Sequence, residues 1–216
     1  MKAALMCEPS LSHADRLRYF RHGVRQRGRM RKISLVLLLF CGTHVLHAQD
    51  VVRYSVSRSE VIFVSDAPLE RISASNSRST GLIDIGARTF AVQIPILDFQ
   101  GFNAPLQREH FNENYLETRT WPYASFQGRI IESIDLTIPG SHQVRAKGAF
   151  TIHGVEQERI VPCRIVVSEQ GIRVTADLDV TLEDHKIHIP RVVQQKIAAV
   201  VEVKVDVLFT PGAIKP

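Results

Sequence analysis

The stretch Thr151 to Arg159, TIHGVEQER, sets His153 close in sequence to Glu156 and Glu158. A histidine beside a carboxylate can accept and donate protons near neutral pH. His153 with Glu156 is therefore one candidate acid–base pair, and His110 with Glu109 is a second. Neither comes with a nucleophile signature: the chain has no Gly-x-Ser-x-Gly and no Cys-His pattern. Gly154 takes a positive φ without steric cost, so His-Gly suits a two-residue turn, with His153 bonded to nearby backbone. His185 and His188, in EDHKIHIP, are three apart. That spacing would place them together on a helix but on opposite faces of a strand, and the surrounding sequence reads as strand ending at Pro190. Glu183, Asp184 and Lys186 read as a solvated loop. With no His-Glu-x-x-His, Cys-x-x-Cys or calcium loop, no metal site is expected. Cys163 is the only cysteine after residue 49 and has no partner for an internal disulfide. In RIVPCRIVV it reads as a buried small hydrophobe. No catalytic residue, metal or cofactor is assigned.

A second constellation is aromatic. Phe99, Phe102, Phe111, Tyr115, Trp121, Tyr123 and Phe126 crowd into one short region of an aromatic-poor chain. Such a cluster can plug the end of a barrel or form the wall and mouth of an apolar pocket.

The elements that must position these groups follow from period-two alternation. In SHQVRAKGAFTIH, Val144, Ala146, Gly148, Phe150 and Ile152 share a face. Ile172, Val174, Ala176, Leu178, Val180 and Leu182 do so in GIRVTADLDVTL, as do Ala199 through Phe209 at every second position in AVVEVKVDVLF. One apolar and one wet face is the signature of antiparallel sheet. Further strands are expected at about 51–57, 60–65, 69–77, 80–86, 89–96, 124–132, 134–138 and 156–168, joined by short turn sequences. A long meander with one apolar face must pack on another sheet or close on itself, and long strands favour closure. Asn103 to Thr118 breaks the alternation and reads as one short helix, about 104–118, with Asn103 as its cap and Pro105 in its first turn. The expected fold is all-β: an antiparallel barrel of about eight strands with that helix near one end. Ala146, Gly148, Ala176, Ala199 and Gly128 are small inward positions and leave room inside such a barrel.

Charge excludes one class of partner. Of 27 Lys+Arg and 22 Asp+Glu, the first 49 residues hold nine and two, leaving 18 and 20 for the remainder. The basic pI comes from the leader, so no nucleic-acid surface is expected. Residues 1–29 form a basic leader, which a misassigned start would explain. Residues 30–49 read as a Sec signal peptide: Met30-Arg31-Lys32, an apolar core from Ile33 to Leu46, and a small residue at Ala48. The core is too short for a stable membrane span. Residues 50–216 form the barrel domain, expected to be periplasmic or secreted.

Two segments carry a resemblance. LQREHFNENYLETRTWPYASFQGRI (Leu106 to Ile130), followed by VRAKGAFTIHGVEQERIVPCRI (Val144 to Ile165), resembles the YceI-like family of lipocalin-like, polyisoprenoid-binding periplasmic proteins. Trp121-Pro122-Tyr123-Ala124-Ser125-Phe126 matches an aromatic-Pro-x-Ala-x-Phe pattern. Gly148 and Phe150-Thr151-Ile152-His153-Gly154-Val155 match a Gly-x-Leu-Thr-Ile-His-Gly-Val hairpin, with Phe150 in place of Leu. The resemblance implies an extended antiparallel, lipocalin-like barrel closed by the helix and holding an amphiphile with an isoprenoid or fatty tail. An isoprenoid lipid or a quinone is then the expected occupant, and Phe111, Tyr115, Trp121, Phe126, Phe150 and Ile152 are expected near its tail. Two other readings stay open: an enzyme on a lipid or small apolar substrate using His153 or His110, and a filled barrel that binds a protein partner. A homodimer is compatible with all three.

Overall fold

The computed structural model describes residues 52–212. The leader and the signal segment, 1–29 and 30–49, lie outside the described residues. Nine strands follow in order: β1 (Arg53–Asp66), β2 (Arg71–Asn76), β3 (Thr80–Asp84), β4 (Thr89–Pro95), β5 (Tyr123–Ile130), β6 (Gly140–Ile152), β7 (Val155–Ser168), β8 (Gly171–Thr181) and β9 (Val200–Pro211). All pairings between these strands are antiparallel. From β3 to β9 each strand pairs with the next, and β1 pairs with both β3 and β9. Eight strands thus close into a barrel, as the alternation predicted, and β2 is an additional strand.

β1 is one strand where the sequence pattern read two. Its bulge at Ser57 interrupts the register with β9, which is where the alternation breaks. One edge of β1 serves two partners: Arg53 to Ser55 pair with β3, and Val61 to Asp66 pair with β2. Both pairings keep the same register, so β2 and β3 act as one strand cut at residues 77–79. At the cut Asn76 is 1% exposed. Its side chain donates to the Pro95 carbonyl (2.8 Å) and accepts from the Arg78 amide (2.8 Å). Past this point the sheet splits, and the Ser75–Gln100 bridge is the backbone pairing across the gap. The aromatic segment enters through that split.

The helix is shorter than its sequence signal. α1 spans Pro105–His110, and Phe111–Tyr115 continues as a π-helical turn. Ala104, not Asn103, holds the N-cap position. Asn103 instead donates from its side chain to the Arg71 carbonyl, tying the helix start to β2. Residues 134–138 form no strand. Asp135 accepts from the amide and hydroxyl of Thr137, a local turn that outcompetes sheet pairing there. The loop drops Leu136, 2% exposed, into the barrel end among Ile85, Ile172 and Phe209.

The small residues serve different ends. Ala146 and Ala176 face inward. Ala199 is exposed and precedes β9, so it does not widen the interior. Gly128 and Gly148 are cross-strand partners. A β-carbon on Gly148 would sit 2.0 Å from the Gln127 carbonyl oxygen, and one on Gly128 would sit 2.1 Å from that of Lys147. These glycines let two backbones approach; they are not there to leave space in the lumen.

Candidate functional site

The barrel encloses an apolar cavity of about 590 Å³. Alternating side chains of the eight barrel strands line it, and Ile72 of β2 joins them. Its closed end is sealed by the packed cluster around Leu136, Ile165 and Phe209. At the other end, α1, the β1–β2 turn and the segment between β8 and β9 form the rim. There Glu70, Gln107, His110 and Lys196 border the cavity, and the hydroxyl-bearing Ser65 and Tyr115 also line it. Gln107 donates to Glu70 across the rim.

Phe63 anchors the mouth. It stacks on Phe111 with ring centroids 5.2 Å apart and planes 7° apart, and it meets Phe99 at 5.4 Å and Phe102 at 5.8 Å. Phe99 and Phe102 also contact Phe111. These aromatic contacts hold the helical segment over the lumen, each pair adding roughly 0.5–1.5 kcal/mol beyond its area burial. Deeper in, Phe90 meets Phe126 and Phe126 meets Phe150 edge-on. Phe63 and Phe90 were not among the expected pocket residues. Alternation with Val61 and Ser65, and with Val92 and Ile94, would have marked both as inward.

Of the six residues expected near a tail, Phe111, Tyr115, Phe126, Phe150 and Ile152 line the cavity. Burial raises the pKa of the Tyr115 phenol, which stays protonated. Trp121 does not line the cavity. It is 40% exposed and lies over Gly154, because the chain has already left the mouth by residue 121 and runs outside the β6–β7 turn. Cys163 lines the cavity and is buried, and desolvation pushes its thiol pKa up to about 11.

The histidines assemble differently from either acid–base pairing. His153 and Gly154 have φ of +51° and +69°, as a type I′ hairpin turn requires. His153 Nδ1 bonds to the carbonyl of His185 (3.1 Å), a partner 32 residues away and not the local backbone expected. Its Nε2 lies 3.5 Å from Glu117, not from Glu156. Glu183, Asp184 and Lys186 are exposed, as expected of a solvated loop, but His185 between them is fully buried. Its Nδ1 bonds to the Val155 carbonyl (3.1 Å), and its ring meets Phe150 edge-on. His110 is exposed on the rim, and His188 is exposed. Among the described residues no group of three or more His, Cys, Asp or Glu is placed to hold a metal.

Comparison with known proteins agrees with this geometry. The chain is similar to a polyisoprenoid binding domain from Saccharophagus degradans (TM-score 0.64, 16% identity), covering 74% of this chain and 99% of that one. It is similar to Burkholderia cenocepacia BcnA (TM-score 0.59, 16% identity), covering 70% of this chain and 96% of the other. The Campylobacter jejuni YCEI protein matches at a TM-score of 0.51 and 13% identity, over 64% and 83%. No curated protein matches the chain. At these identities the structures speak to the fold, a shared barrel. The model of the YceI-like domain matches residues 53–209, and the chain belongs to that family.

Proposed function

We propose that this protein binds a long-chain amphiphile, of isoprenoid type or similar, inside the barrel, and carries or sequesters it in the periplasm or outside the cell. The observation that carries this reading is the cavity of about 590 Å³, walled by aliphatic and aromatic side chains with polar groups gathered at its rim. Each methylene moved from water into such a lining contributes roughly 0.8 kcal/mol, so a tail of about ten carbons binds without polar contacts along its length. Glu70, Gln107, His110 and Lys196 stand where the polar head of such a molecule would sit. His153, one of the two acid–base candidates, lies outside the cavity lining and bonds to the His185 carbonyl, which supports a binding role over catalysis. The export route rests on the signal-like segment 30–49. The test is uptake of all-trans-retinol, a neutral fluorescent isoprenoid alcohol, by delipidated protein. Saturable 1:1 uptake supports the reading, and no uptake of retinol or of a polyprenol counts against it.

A further inference from the structure

The segment joining β8 to β9 supplies Leu182, Ile187, Val193, Lys196 and Ile197 to the cavity lining, so its position sets access to the lumen. Its β9 end is held to the β1–β2 corner, where the Leu69 amide donates to the Gln195 carbonyl (2.8 Å) and the Ala198 amide to Ser65 Oγ (2.9 Å). Its β8 end is held through His185. His185 Nδ1 lies 3.1 Å from the Val155 carbonyl, and the His185 carbonyl lies 3.1 Å from His153 Nδ1. Gln157 adds a bond to the Asp184 carbonyl. Carbonyl oxygens only accept, so both Nδ1 atoms carry the proton. In the neutral ring His185 Nε2 is then an acceptor, and it is buried with no partner. A second proton there would place a full charge in a fully buried site; desolvation opposes it more than the nearby backbone of Ile152 and Val155 favours it.

We propose that His185 is an acid-sensitive latch: protonation of its imidazole frees the β8 end of the 182–199 segment from the β6–β7 hairpin and opens the lumen for release of its occupant. This inference rests on the binding role proposed above. The groups facing the latch bear on its sign. Arg159 of β7 opposes a charge on His185, and Asp184 on its own segment favours one. Glu117 faces His153 and not His185, while Glu183 and Lys186 are exposed. Desolvation is the largest influence and holds the His185 pKa below the ordinary value of about 6.5. The open segment therefore binds the proton more readily than the closed one. Closure is fully favoured above about pH 6.5 and weakens as pH falls below it, by up to about tenfold per pH unit until the closed-state pKa is reached.

Two measurements test the latch separately from the binding role. Hydrogen–deuterium exchange of the wild-type chain is followed at pH 7.5 and 5.5, corrected for intrinsic rates, with loop 131–139 at the opposite end as reference. The latch predicts lost protection in 182–199 and unchanged protection in 131–139 at the lower pH. Unchanged protection in 182–199, or equal loosening at both ends, overturns it even if retinol never binds. Retinol affinity is then compared between wild type and His185→Asn, which keeps a donor near the Nδ1 position but does not titrate. Wild-type affinity should drop from pH 7.5 to 5.5, by at most about tenfold, and the variant's should stay flat. An equal drop in both overturns the latch and leaves the binding role standing. Should His185→Asn fail to fold, the wild-type exchange result decides alone.

Discussion

The indole of Trp121 lies across Gly154 so closely that a β-carbon at Gly154 would fall 2.6 Å from the ring. The aromatic-Pro segment and the His-Gly hairpin, 33 positions apart, are therefore two halves of one contact outside the barrel. The hairpin needs positive φ at two successive residues, and the indole covers the one that has no side chain.

Gly154→Ala should destabilise the protein by about 1–2 kcal/mol, since a non-glycine residue is strained at φ +69° even if the indole swings aside. Trp121→Ala should leave retinol uptake unchanged, because Trp121 is not part of the cavity wall. Urea denaturation and a retinol titration check the two. A several-fold loss of affinity in Trp121→Ala would place the indole at the ligand after all.

Gly148→Ala should be far more damaging, at about 3 kcal/mol or more. Its β-carbon would meet the backbone oxygen of Gln127, which cannot move without parting β5 from β6. The same denaturation series measures it, and a cost under about 1 kcal/mol would show that the two strands have slack there.

These sites show how far the sequence could be read. Alternation in β6, β8 and β9 was legible because one face of each strand is oily and the other meets water. The turn at His153 was legible because few residues besides glycine tolerate the φ at position 154. The length of β1 was not, since its bulge reverses the alternation that marks a strand. Residues 134–138 misled for the opposite reason: Ile134 and Leu136 alternate like a strand, but a loop packs them, the first partly and the second fully buried, against the barrel end. Trp121 could be recognised as part of a motif, but not as lying outside the lumen. That depends on the path the chain takes after the helix. The burial of His185 rests on contacts with residues 30 or more positions away, which local pattern does not report.

Cys163 gives a pH prediction. With its pKa pushed up to about 11 from 9.0, the native thiol carries roughly 100-fold less thiolate than a free one. Ellman's reagent should react slowly with the folded protein at pH 8 and fully after denaturation. Above about pH 9 the unfolded chain gives up the thiol proton first, so this residue's contribution to stability is lost as pH rises toward 11. Rapid native labelling would contradict the burial.

Ala176→Phe places a phenyl ring in the lumen from β8. Filling empty apolar volume should leave stability unchanged or slightly raised, while retinol affinity falls at least about tenfold. Thermal melts and fluorescence titration separate the outcomes. Loss of stability of about 1–3 kcal/mol would mean that the interior is already packed.

Native mass spectrometry of the protein purified from a membrane-containing lysate addresses the hollow barrel most directly. The expected spectrum shows one amphiphile of lipid mass per chain, absent from Ala176→Phe and restored to the delipidated wild type by added retinol or polyprenol. A bare chain in every sample, with no uptake on addition, would contradict a lumen built to hold a lipid.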